Sequence, residues 1–145
     1  MANLLRLLSM FLLLMAAAVG VNYIITVLYD DGSTGFPIWS IFNWPMAAGV
    51  LIAFTASACH WRQQGRAEAN IHSSENENRS VKAWLQANMR FYASLILLLW
   101  FMHAWFDDLF ADDPSGSLWK YVNVLFVAVS LSAGLQLWQD GGGEE

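Results

Sequence analysis

The feature that most constrains this chain is an uncharged segment, residues 91–106, which lies between Arg90 and the adjacent pair Asp107 and Asp108. An α-helix rises about 1.5 Å per residue, so the distance from Arg90 to Asp107 is roughly 25 Å, close to the hydrocarbon thickness of a bilayer. The charged residues would then lie at the two water interfaces. This segment therefore predicts a membrane-spanning helix.

Comparable apolar segments occur three more times in the 145 residues. Hydrophobic residues make up 57% of the chain and charged residues 13%, whereas soluble proteins average about 45–50% and about 25%. The sequence therefore predicts an all-α integral membrane protein, a single domain in which four transmembrane helices form a small bundle. The predicted spans are 4–29, 37–59, 84–107 and 118–138, with a polar cytoplasmic loop at 60–83, which helical extensions could shorten at either end, and a flexible tail at 139–145.

The first apolar segment allows two interpretations. Arg6, the leucine-rich core and the small residues Ala16, Ala17 and Ala18 are typical of a cleavable signal peptide. The apolar character continues to Tyr29, however, and a segment of about 25 residues is longer than a signal core of about 7–15. An uncleaved membrane anchor is therefore favoured, and its small residues would let a neighbouring helix approach closely.

The distribution of basic residues predicts the orientation, because cytoplasmic loops collect Lys and Arg. With four spans and both termini inside, Lys120 alone falls on the outer side. The six basic residues on the cytoplasmic side are Arg6, Arg62, Arg66, Arg79, Lys82 and Arg90. We therefore expect a multi-pass protein of the inner (plasma) membrane with cytoplasmic N- and C-termini. Because the Lys and Arg residues are scattered along the chain and form no basic stripe, nucleic-acid binding is not expected.

The outer end of helix three carries the candidate metal ligands. His103 and Asp107 are four residues apart and share one helix face, and Asp108 adjoins them. A His with carboxylates at a membrane interface can ligate a transition metal or pass protons. The alternative is that His103 lies at the edge of the hydrocarbon region while the aspartates face water, and no HExxH motif or second membrane His supports a metal. We therefore predict no cofactor, with a metal ion at His103, Asp107 and Asp108 as the alternative.

Each predicted span also carries an amide side chain, and these are expected to make interhelical polar contacts. In lipid such groups seek partners on neighbouring helices, each pair contributing about 0.6 to 2 kcal/mol. A transport path would need the amides to line one cavity, whereas helix association needs only pairs. The four residues, in chain order, are Asn22, Asn43, Asn88 and Asn123.

The function most compatible with these features is a non-catalytic accessory or structural subunit. It would pack its helices against larger integral membrane subunits of an oxidoreductase or transport assembly, with the lipid bilayer as its other partner. The alternatives are a small oligomeric cation or proton transporter or channel, and a metal-binding membrane factor. Both alternatives would use His103 and Asp107.

Overall fold

The computed structural model describes residues 2–29, 38–69, 77–110 and 117–142, and these residues form four α-helices. The helices are α1 (Ala2–Tyr29), α2 (Ile38–Ala69), α3 (Glu77–Phe110) and α4 (Ser117–Gly142). Each contains a segment long and apolar enough to cross a membrane, at Asn3–Thr26, Ile41–Arg66, Val81–Phe110 and Leu118–Gly142. The expectation of an all-helical chain with four such helices is confirmed, and insertion into a bilayer stays a prediction.

Successive helices run in opposite directions. Arg6 near the start of α1 donates from Nε to the carbonyl oxygen of Gly141 near the end of α4, at 3.2 Å. At the opposite end, the ring of Trp44 near the start of α2 lies 5.1 Å from that of Trp105 near the end of α3. We call the end that carries both chain termini the terminal end, and the other the distal end.

Helices α2 and α4 each contact all three other helices, whereas the described parts of α1 and α3 do not contact each other. The core consists of buried apolar side chains from all four helices. Its largest fully buried members are Leu12, Val19, Met46, Val50, Leu97, Phe101, Val122 and Phe126.

Small residues let α1 and α4 approach closely. A Cβ atom added to Gly134 would lie 3.0 Å from Cγ of Leu13, and one added to Gly20 would lie 3.6 Å from a methyl group of Val127. Ser9 donates from Oγ to the carbonyl oxygen of Gly134 at 2.6 Å, a bond that only close backbones permit. Of the small residues of α1, Ala16 is buried and Gly20 lies against Val127 of α4.

Both α2 and α3 are longer than the spans predicted from hydropathy. Helix α2 continues ten residues past Cys59 and α3 begins seven before Trp84, so 60–69 and 77–83 of the predicted loop are helical. Helix α4 likewise continues to Gly142. At about 1.5 Å per residue, the 32 residues of α2 and the 34 of α3 give roughly 50 Å each, against about 30 Å of hydrocarbon. Hydropathy marks where the apolar residues stop, but good helix formers such as Arg, Gln and Ala continue the helix beyond that point.

Candidate functional site

The predicted metal ligands lie at the distal end of α3. His103 and Asp108 are exposed, and Asp107 is partly buried. Among the described residues, these three included, no group of three or more His, Cys, Asp or Glu side chains is arranged to hold a metal ion. Four further aspartates of the sequence, Asp30, Asp31, Asp112 and Asp113, lie outside the described residues. The metal site therefore stays a prediction that needs ligands from elsewhere.

The side chain of Asn88 makes an interhelical contact. Asn88 of α3 accepts a hydrogen bond from Nε1 of Trp61 of α2 at 3.1 Å, and its own amide donates to the carbonyl oxygen of Trp84 at 2.9 Å. The Trp61 ring also stacks on Phe91, with centroids 4.9 Å apart. This cluster joins α2 to α3 where both helices extend toward the terminal end.

The other three asparagines are buried. Asn22, Asn43 and Asn123 are each less than a tenth exposed. Within the described residues, Oδ1 of Asn123 has no hydrogen-bond partner. None of the four asparagines lines either of the two cavities described below.

The contact that the structure adds is a hydrogen bond between Arg90 of α3 and Gln136 of α4. Nη1 of Arg90 donates to Oε1 of Gln136 at 3.0 Å, and the amide is buried while the guanidinium group is half-buried. Because the partner is a neutral amide, this bond orients the guanidinium group without neutralising its charge. The apolar surroundings make that charge more costly than one in water, so it is strongly attracted to any anion within reach.

The two partners of this bond line two different cavities. Arg90 lines the first, which has a volume of about 200 Å³, and Gln136 lines the second, which has a volume of about 410 Å³. We call them the α3–α4 groove and the His60 cavity. The groove is lined by Ser57, Met89, Arg90, Ala93, Leu125, Ala128, Val129, Ser132 and Ala133. The His60 cavity is lined by Leu5, Leu8, Ile52, Thr55, Ala56, Cys59, His60, Gln63, Gln136, Leu137 and Asp140.

The two cavities differ in chemistry. The α3–α4 groove is apolar apart from Arg90 and two serine hydroxyl groups, so it suits an apolar chain that ends in an anion. The His60 cavity mixes apolar side chains with the groups of Gln63, Gln136 and Asp140. Nδ1 of His60 is buried and has no hydrogen-bond partner among the described residues, so it can hydrogen-bond to a polar molecule that enters.

Sequence reasoning did not find the pairing of Arg90 with Gln136. The sequence alone places Arg90 at the cytoplasmic end of its span but does not pair it with Gln136 near the end of the next span. The two residues are 46 positions apart, so only the packing of α3 on α4 brings them together. A usable signal was present, since Arg90 directly precedes the uncharged segment 91–106 and Gln136 lies near the end of the predicted span 118–138, which puts them at similar depths.

Comparisons with known proteins are negative: no protein-family model, curated protein or solved structure matches this chain. A functional assignment must therefore come from its own residues and their arrangement.

Proposed function

We propose that this protein is a non-catalytic accessory subunit of a larger membrane protein complex. Its four helices would lie in the inner membrane with both termini cytoplasmic, and it would pack against larger integral membrane subunits of an oxidoreductase or transport assembly. The observation that carries the proposal is the uncovered apolar face of α1.

This face is continuous along the helix. Leu7, Leu14, Val21 and Leu28 are exposed at intervals of seven residues, and Met10, Ala17 and Ile24 are exposed three positions after the first three of them. We call these seven residues the α1 face. Alternating steps of three and four are those by which helices pack lengthwise against each other. A partner helix could therefore follow α1 over most of its length.

Two further features support a partner helix on the α1 face. Ala17 and its neighbour Ala18 are small and exposed at mid-span, where a second backbone could approach closely. Helix α1 itself contacts α4 mainly and α2 to a lesser extent, so the rest of the bundle leaves the α1 face open.

The polar contacts of the bundle favour a packing role over a transport path. Ser9 bonds to Gly134 between α1 and α4, Arg90 to Gln136 between α3 and α4, and Trp61 to Asn88 between α2 and α3. Each of these described contacts joins one pair of helices. Such side chains stabilise the association of helices in lipid, where water does not compete for the bond.

The test is purification in mild detergent followed by mass spectrometry of the intact assembly, with bound metal measured in the same sample. We expect larger membrane chains in fixed ratio to this protein. Leu14→Trp should reduce their recovery, because it enlarges a side chain in the middle of the α1 face. The matched control is Leu99→Trp, since Leu99 lies on α3 with an exposed fraction of 60% against 67% for Leu14.

Two outcomes would contradict the proposal. If the protein forms only a homo-oligomer with stoichiometric metal or cation, the transport or metal-binding alternative that uses His103 and Asp107 replaces it. If Leu14→Trp and Leu99→Trp have the same effect on recovery, the α1 face does not bind the partner.

A further inference from the structure

We propose that the α3–α4 groove is a binding site for an anionic glycerophospholipid, with one acyl chain in the groove and the phosphate group on Arg90. This site is separate from the α1 face, and it needs no partner subunit. The lipid that occupies it would come from the surrounding bilayer.

The groove has the shape and chemistry of an acyl-chain site. Small side chains, including Ala93, Ala128 and Ala133, leave the space between α3 and α4, and Leu125 and Val129 supply apolar walls. Its volume of about 200 Å³ is below the roughly 300–1,000 Å³ of pockets that enclose a drug-sized ligand. It therefore fits part of a chain better than a whole molecule. Ala128 is exposed, so the groove can be reached from the lipid side.

The charge at one end of the groove identifies the headgroup. A guanidinium group carries five N–H donors, and within the described part of the chain the only polar contact of Arg90 is its bond to Gln136. The other N–H donors of Arg90 have no acceptor among the described residues. A phosphate group matches them, because it accepts charge-assisted hydrogen bonds from the planar guanidinium group.

A second basic residue lies on α3 nearer the terminal end. Lys82 precedes Arg90 by eight residues, so it lies about 12 Å from Arg90 along the helix axis and about 80° from it around the axis. Lys82 is exposed. In the predicted orientation both residues face the cytoplasmic leaflet, whose anionic lipids attract basic residues and bind in basic pockets between helices. A zwitterionic lipid carries no net negative charge, so these basic residues do not favour its binding at the Arg90 end of the groove.

The experiment measures lipid retention. Delipidated protein in mild detergent receives equal amounts of phosphatidylglycerol and phosphatidylcholine with identical acyl chains, and native mass spectrometry records how much of each stays bound. We expect phosphatidylglycerol to be retained preferentially. Arg90→Gln should lower this preference about fivefold, the amount expected from losing one basic contact. Arg62→Gln is the control, because Arg62 is exposed on α2 and does not line the groove.

A second pair of variants tests the acyl-chain part and does not depend on Arg90. Ala128→Phe should fill the groove and lower the retention of both lipids. Val124→Phe is its control, since Val124 is exposed one turn away on α4 and does not line the groove. A photo-cross-linking residue at position 128 should attach to phospholipid in membranes.

Each of the following results would overturn the proposal. The first is an unchanged lipid preference in Arg90→Gln, or an equal loss in Arg62→Gln, which would indicate a diffuse surface charge. The second is full retention of both lipids in Ala128→Phe. The third is cross-linking from position 128 to another protein chain, which would make the groove a helix-binding surface.

Discussion

Gly134→Ala tests whether the close packing of α1 on α4 holds the bundle together. The added Cβ would lie 3.0 Å from Cγ and 3.1 Å from Cδ2 of Leu13, and 3.4 Å from the main-chain oxygen of Ser9. The two side-chain distances are tighter than ordinary van der Waals contact. Leu13 or α1 itself must therefore move, and the short bond from Ser9 to the carbonyl oxygen of Gly134 would be strained.

The expected magnitude combines two opposing effects. Overpacking in a tight interface costs about 1–3 kcal/mol, whereas alanine is favoured over glycine within a helix by about 1 kcal/mol. Gly134→Ala should therefore lower the free energy of unfolding by about 0–2 kcal/mol. Gly65→Ala is the matched control, because a Cβ at Gly65 meets no atom within 4 Å. That variant should raise stability by up to about 1 kcal/mol.

The assay is thermal unfolding in one detergent, followed by the fluorescence of the eight tryptophans. A separation of about 1–3 kcal/mol between the two variants corresponds to about 2–12 °C in Tm for a chain of this size. Replacing Leu13 by Ala in the Gly134→Ala background should recover part of the packing loss, since it removes the atoms that clash. Equal Tm values for Gly134→Ala and Gly65→Ala would refute the close approach of the two helices.

Three further predictions concern other parts of the molecule. Trp61→Phe keeps an aromatic ring but loses the hydrogen bond to Asn88. Amide hydrogen exchange in the extended part of α3 should therefore become faster, by the equivalent of about 0.5–1.5 kcal/mol. An unchanged exchange rate would mean that the bond does not hold α2 on α3. A reporter enzyme fused after Glu145 should be active only in the cytoplasm, and activity outside would reverse the predicted orientation. Replacing His103 and Asp107 together by Ala should leave complex assembly and function intact, and loss of bound metal or of activity would show that this end carries the function.

Hydropathy and helix geometry were sufficient to predict the architecture. An apolar segment such as 91–106 between charged residues can satisfy its backbone groups in lipid only as a helix, so the number of helices follows from the number of such segments. Hydropathy predicts the ends of the helices less well than their number. The extensions of α2 to Ala69 and of α3 back to Glu77 are polar, and hydropathy cannot distinguish a polar helix from a polar loop.

The candidate site depended on tertiary packing. The sequence by itself determined that Arg90 and Gln136 lie at similar depths, because each is at the same end of an adjacent span. Only the structure decided that α4 packs against all three other helices, that its face at Gln136 meets α3, and that small side chains there leave a groove. The physical reason is that depth depends on position along one helix, which local hydrophobicity reports. Which residues meet across two helices depends instead on the rotation of each helix about its axis, and that rotation is set by the packing of the whole bundle.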